Sequence, residues 1–356
     1  TAFITILDVN DAPVLNNSGT MTLNPINEDD TTNGGTLVSE IILSAGGDRI
    51  TDIDPDALEG IAIINADIGN GSWQFSIDGG STWSDMPQPS ASEARLLAAD
   101  ARIRFVPVAN YFGTVGNALT FRGWDQSTGT NGGTANPGAG GGSTAFSSAT
   151  ETADLTVNPI NDAPLLNTAA NPVLPDVPED AADPAGQSLP QIVLAGTITD
   201  ADGVAVQAIA ITAVDDLHGT WQYQAVGTTT WTQISASPTE SLLLDPWYKI
   251  RFVPVPDFFG TATFTFRAWD KTAGFAGGTA NTTVNGGATP FSIDTDTASV
   301  VVIPVNDAPI LSTIASPRLT DIPANVFDSA GDTIGTVLID GSITDPDGVA
   351  VEAIAV

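Results

Sequence analysis

The chain repeats itself, and that constrains it more than any other feature. Val9-Asn10-Asp11-Ala12-Pro13 returns as Ile160-Asn161-Asp162-Ala163-Pro164 and again as Val305-Asn306-Asp307-Ala308-Pro309. The spacings are 151 residues from Asp11 to Asp162 and 145 from Asp162 to Asp307. Other segments keep the register. Ile50-Thr51-Asp52-Ile53-Asp54 matches Ile198-Thr199-Asp200-Ala201-Asp202 and Ile343-Thr344-Asp345-Pro346-Asp347. Gly71-Ser72-Trp73-Gln74 matches Gly219-Thr220-Trp221-Gln222, and Arg104-Phe105-Val106-Pro107 matches Arg251-Phe252-Val253-Pro254. A period of this length is too long for one turn of a solenoid and is the size of a domain, so the chain reads as a tandem array. Residues 1–9 read as the last strand of one repeat, 10–160 and 161–305 as two whole repeats, and 306–356 as the start of another.

Within a repeat the apolar pattern has period 2. Ala153-Asp154-Leu155-Thr156-Val157, Lys249-Ile250-Arg251-Phe252-Val253 and Thr261 to Trp269 all alternate, and Gly, Pro, Asn and Asp punctuate the runs. Trp73 to Trp83 reads as a hairpin around Asp78-Gly79. No long helix is expected; Ser92 to Ala101 could form one or two helical turns. Many short strands and turns predict an all-β chain of Greek-key β-sandwiches. Residues 126–150 and 271–295 are long Gly/Thr/Asn-rich loops, either lengthened edge hairpins or binding loops.

Charge narrows the function. There are 42 Asp and Glu against 10 Lys and Arg, a formal net charge of −32. Such a surface repels nucleic acid and anionic membranes. There is no cysteine and one histidine, His218, which excludes thiol chemistry and Cys- or His-rich metal centres. His218 reads as a solvated turn residue. No apolar run approaches the roughly 20 residues of a membrane span. The N-terminus has no basic leader and the chain reads as a piece of something longer.

The acids recur in register. Each junction carries Asn-Asp, and Asp-x-Asp follows about 40 residues later. Hard cations such as calcium take six to eight oxygens from carboxylates, amides and carbonyls, and Asp-x-Asp supplies two carboxylates on one side of a turn or strand. Asp and Gly also favour turns for purely local reasons. Repetition beside each Asn-Asp, in so acidic a chain, favours calcium. The tryptophans Trp73, Trp83, Trp221 and Trp231 read as core, with a sugar-stacking platform as the alternative. The acids sit in linkers and turns and recur in every copy, which does not suit a catalytic pair, so the chain reads as no enzyme.

The run Ala268-Trp269-Asp270, a Gly-rich loop, Ala298 to Val302 and then Val305-Asn306-Asp307-Ala308-Pro309 resembles the end of a cadherin repeat. Ile103-Arg104-Phe105-Val106-Pro107-Val108-Ala109-Asn110-Tyr111-Phe112-Gly113-Thr114 is similar to the cadherin-like tandem repeats of large bacterial surface and secreted RTX-type adhesins. The resemblance implies Ig-like or cadherin-like sandwiches and calcium sites at each junction. The first would use Asn10, Asp11, Asp52, Asp54 and Asp125. The second would use Asn161, Asp162, Asp200, Asp202 and Asp270 with Glu28 of the preceding repeat. The third would use Asn306, Asp307, Asp345 and Asp347 with Glu179 and Asp257. The linker is one residue shorter than the cadherin form, and its leading Asp survives only as Asp8, replaced by Pro159 and Pro304. Ala324 stands where Glu28 and Glu179 align, and Asn110 replaces Asp257 in the first repeat, so fewer ions and unequal affinities are expected. The implied function is that of calcium-stiffened extracellular extender repeats, with neighbouring repeats as partners and a distal domain contacting glycans or cells. The alternative is a carbohydrate- or partner-binding module using the long loops.

Overall fold

The computed structural model describes all residues except 1–3, 5–8, 204–205, 315, 339–341, 349–352 and 356. The closing strand expected over 1–9 lies mostly outside the described residues. The rest separates into two units, Thr1–Ile160 and Asn161–Val356.

In the first unit two sheets face each other. One has the order Thr36–Leu37, Arg102–Pro107, Gly71–Ser76, Ser84–Asp85. The other runs Thr134–Ala135, Ala94–Ala98, Gly60–Ala66, Gly113–Trp124, Glu151–Asn158, Met21–Thr22. Ile26–Asn27 also pairs with Glu151–Asn158, parallel to it like Met21–Thr22. The second unit repeats the plan with Gln187–Ser188, Lys249–Pro254, Gly219–Gln224 and Thr232–Gln233 in one sheet. Its other sheet holds Val177–Pro178, Asp296–Ile303, Gly260–Trp269, Ala208–Val214, Ser241–Leu244 and Thr279–Ala280. The chain is a tandem of all-β sandwiches.

The period-2 pattern becomes burial on alternate residues. In Glu151–Asn158, Ala153, Leu155 and Val157 point inward while Thr156 and Asn158 face solvent. Trp73 lies 5.0 Å from Phe105, and Trp221 lies 5.1 Å from Phe252, ring centroid to ring centroid. Both tryptophans are 1% exposed and fill the space between the sheets. Glycine is required two residues before each of them. A Cβ on Gly71 would sit 2.4 Å from the Phe105 ring, and one on Gly219 would sit 2.3 Å from Phe252. Trp83 and Trp231 are half-buried, with the guanidinium groups of Arg104 and Arg251 stacked 4.2 and 4.1 Å from their rings. None of these four is an open platform for sugar.

Ser92 to Ala101 forms no helical turn; it contains the strand Ala94–Ala98. Leu97 faces the core between the sheets, and Leu96 packs into a second small core on the outer face. A strand buried on both faces loses its alternation, and this one therefore reads like a helix in the sequence. Among the described residues the helices are short: Val38–Leu43, Leu189–Ile192 and Ile334–Val337.

The long loops build the second core. In 126–150 the chain lays Ala145 and Phe146 against Trp124, Leu96 and Ala62, and Thr134–Ala135 extends the sheet. In 271–295, Phe291 packs against Trp269, Leu243 and Ala210 in the same way. Each loop joins two neighbouring antiparallel strands, as a lengthened hairpin does, folds onto the outer face of the larger sheet and adds that sheet's edge strand, Thr134–Ala135 or Thr279–Ala280.

Candidate metal centre

The junction acids come from three pieces of chain held by one short ladder. Val14–Leu15 pairs antiparallel with Ile50–Thr51, placing Val14 opposite Thr51. Continuing the register three residues outward puts Asp11 opposite Asp54. Leu165 opposite Thr199 does the same for Asp162 and Asp202, and Ile310 opposite Thr344 for Asp307 and Asp347. The spacing of the sequence motifs is thus the spacing of an antiparallel ladder.

Hydrogen bonds fix the arrangement. The Asp11 N–H donates to Asp54 Oδ2 at 2.8 Å, Asp162 to Asp202 at 2.7 Å, and Asp307 to Asp347 at 2.8 Å. The second Asp of each Asp-x-Asp donates its N–H to the first: Asp54 to Asp52 and Asp202 to Asp200 at 2.9 Å, and Asp347 to Asp345 at 3.1 Å. Asn10 Nδ2 donates to Asp125 Oδ2 at 2.9 Å and to Thr144 O at 3.2 Å. Asn161 repeats this with Asp270 at 2.9 Å and Thr289 O at 3.3 Å. Asn306 donates to the Asp307 carbonyl at 2.8 Å. Each unit therefore gathers Asn, Asp, Asp-x-Asp and the aspartate following its long strand at one end: Asn10, Asp11, Asp52, Asp54 and Asp125 in the first, Asn161, Asp162, Asp200, Asp202 and Asp270 in the second.

Glu28 belongs to the other end of the first unit. Its Oε1 accepts the Ile160 N–H at 2.6 Å, beside the end of Glu151–Asn158. Asp125 follows Trp124 at the far end of Gly113–Trp124, about 35 Å away at roughly 3.3 Å per residue. Glu179 is the equivalent residue and accepts the Val305 N–H at 2.6 Å.

One full acidic cluster lies within the second unit. Glu179, Asp307 and Asp347 each offer a carboxylate oxygen, and these lie within 4.8 Å of one another. Glu179 is buried, Asp307 half-buried and Asp347 exposed. Desolvation, and then the charges of Asp180, Asp257, Asp347 and Glu179, push the Asp307 carboxyl above its ordinary value. Asp257 is exposed, at a left-handed turn with φ 62°, and its charge is among those that raise Asp307, but it is not one of the three carboxylates of the cluster. Asp200 is also raised, mainly by burial, with the charges of Asp202 and Asp270 adding to it.

The residues present suit a hard cation. All the donors are oxygens. Asp307 Oδ2, Glu28 Oε2 and Asp52 Oδ2 are buried carboxylate oxygens without a hydrogen-bond donor. Among the described residues, the ion pairs are Arg251–Asp183, Lys271–Asp245 and Arg318–Asp321, and none reaches a candidate ligand. Buried carboxylates uncompensated in this way are costly unless a cation joins them. Oxygens within 4.8 Å of one another can share an ion that takes ligands at about 2.3–2.6 Å.

Sequence reasoning missed Asp180. It follows Glu179, as Asp29 follows Glu28, and the doubled acid was the available signal. In the first unit Asp29 Oδ1 accepts the N–H of Asn110, the residue standing where Asp257 stands in the second.

No protein-family model matches the chain, and no curated protein matches it. Among solved structures it is similar to human CDH23 EC21-23, at 13% identity, over 96% of this chain and 85% of that one, with a TM-score of 0.31. It is similar to mouse cadherin-23 EC22-24 at 14% identity, covering 82% and 67%, TM-score 0.30. It is also similar to cadherin-like domains 1 to 4 of zebrafish RET at 10% identity, covering 83% and 52%, TM-score 0.19. These are cadherin-like tandems; the β-sandwich assignment rests on the strand order described above. Among the described residues, no helix is long and apolar enough to cross a membrane.

Proposed function

We propose that this chain is a segment of calcium-stiffened extender repeats from a large extracellular adhesin of the bacterial cell surface. It would project a distal binding domain and so support cell adhesion. The observation that carries the reading is the Glu179, Asp307 and Asp347 cluster, with Asp307 Oδ2 buried and undonated. Glu179 is tied to the sandwich through the Val305 N–H, while Asp307 and Asp347 belong to the linker and the segment beyond it. A calcium ion held by all three would fasten the linker to the sandwich. By repeat register the same part falls to Glu28, Asp162 and Asp202, and Asp11, Asp52, Asp54 and Asp125 form the receiving end of the first junction.

The domain boundaries of this reading are 10–160, 161–305 and 306–356. Extracellular modules of this kind bind calcium at about 10⁻⁴–10⁻³ M, so the string would be loose at cytosolic calcium and stiff outside the cell. The role is mechanical and assigns no catalytic residue. Calcium titration calorimetry on the chain, against an Asp307→Ala, Asp347→Ala variant, tests the site. The expected result is fewer ions bound by the variant; equal stoichiometry would refute the assignment.

A further inference from the structure

An early segment of each unit runs parallel to the strand that closes it. In the first unit Met21–Thr22 and Ile26–Asn27 pair with Glu151–Asn158. In the second, Val177–Pro178 pairs with Asp296–Ile303, and Val173 bridges to Ser299. Pulling a unit by its two ends drags such parallel neighbours in opposite directions. The bonds between them are then sheared together, so resistance grows with everything that fastens the segment.

The first unit fastens its segment on both edges. Towards the closing strand, the Leu23 N–H donates to Asp154 O and the Glu28 N–H to Asn158 O, both at 2.9 Å. On the other edge, the Thr22 N–H donates to Ser44 Oγ at 2.9 Å, the Asn24 N–H to Thr36 Oγ1 at 2.9 Å, and Asn24 Nδ2 to Glu40 Oε2 at 3.0 Å. Met21 anchors the segment in the core. The second unit keeps the bonds to the closing strand, Leu174 to Ser299 O at 2.8 Å and Glu179 to Ile303 O at 3.0 Å. Its outer edge differs. Aligned on Glu28 and Glu179, Ala195 stands in the place of Ser44 and offers no hydroxyl. Pro175 replaces Asn24 and has neither an N–H nor a side-chain amide, and Pro172, smaller than Met21, has no N–H. The seal beneath the segment differs as well. Asn33 Nδ2 donates to Phe105 O at 2.9 Å in the first unit, and Pro184 stands at that place in the second. There a cavity of about 280 Å³ is lined by Leu174, Pro175, Val177, Pro178 and Pro184.

We propose that the second sandwich is the weaker of the two under load: tension detaches 172–178 from Asp296–Ile303 before it detaches 21–27 from Glu151–Asn158. Lost hydrogen bonds and an unfilled cavity both weaken the hold on the segment. In a loaded string this sets which repeat gives way first. That use rests on the extender reading, and the inequality itself does not.

Force-clamp measurement with optical tweezers, on the whole chain held by its two ends in EDTA, tests this without recourse to calcium. The second unit should open about tenfold or more faster than the first at one clamp force, since forced opening follows the unfolding rate. Exchanging residues between the units assigns the events. Asn24→Pro, Ser44→Ala should bring the slower event towards the faster one, and Pro175→Asn, Gln187→Thr, Ala195→Ser should slow the faster one. Amide exchange of the unaltered chain reads the same difference without a variant: Leu174 should exchange about tenfold or more faster than Leu23. Equal opening rates, exchange at Leu174 no faster than at Leu23, or exchanged residues that leave both events unmoved would each overturn the proposal.

Discussion

The Asp307 N–H donates to Asp347 Oδ2 at 2.8 Å, although the Asp307 carboxyl lies among acids that repel it. Backbone hydrogen bonding therefore holds like charges close together. The same bond joins Asp11 to Asp54 and Asp162 to Asp202. A ladder that draws carboxylates together needs a counter-charge, and the chain supplies few.

Replacing one acid of this group should weaken cation binding more than it weakens the fold. Asp347 is exposed and carries no core contact. Asp347→Ala is expected to lower calcium affinity at that junction by about tenfold or more, since even groups outside the ligand shell affect affinity by roughly 10–100-fold. Titration calorimetry measures this, and circular dichroism should show unchanged strand content.

The pH dependence follows from the raised carboxyls of Asp307 and Asp200. A carboxyl raised on folding binds its proton more tightly in the native state. Its contribution to stability is therefore present below the ordinary value of about 4 and is lost as pH rises through the higher folded value. In EDTA the melting temperature should rise as the solution is taken from neutral to mildly acid pH. Calcium should abolish this trend near neutrality and lose its effect in acid, where protons compete for the same oxygens. Differential scanning calorimetry across that range checks both.

Asp78 behaves in the opposite sense. Its carboxylate accepts the Thr82 hydroxyl at 2.7 Å, the Thr82 N–H at 2.9 Å and the Ser76 hydroxyl at 2.7 Å, which lowers its pKa to about 2. The stability it gives the hairpin is present above about 3.8 and is lost as pH falls towards 2. Asp78→Ala should loosen the turn, seen as faster amide exchange at Gly80 and Thr82. In the second unit the corresponding turn runs from Ala225 to Thr228 without an acid and should show no such sensitivity.

Gly71→Ala and Gly219→Ala test the core. Each Cβ would collide with a phenylalanine ring and with a neighbouring backbone carbonyl at 2.5 Å. Overpacking of this kind costs about 1–3 kcal/mol, measurable as a lowered denaturation midpoint.

Much of this was legible because the sequence repeats. Acids shared by three copies stand out, and the antiparallel ladder explains why Asp11 and Asp54 keep the separation that Asp162 and Asp202 keep, to within three residues. Strands with one wet face, such as Glu151–Asn158, announced themselves by alternation. Ala94–Ala98 did not, because Leu96 and Leu97 are buried on opposite faces. The loops 126–150 and 271–295 looked featureless, since a few residues such as Phe146 and Phe291 anchor them and the rest are mostly Gly, Thr and Asn. Asp180 was hidden behind Glu179.

Small-angle scattering of the whole chain, first with calcium at about 2 mM, above the expected affinity range, and then with EDTA, tests calcium stiffening most directly. Stiffening requires a longer maximum dimension with calcium, a more compact and broader distance distribution in EDTA, and EDTA-like curves for Asp162→Ala, Asp307→Ala even with calcium present. A maximum dimension unchanged by EDTA would contradict it.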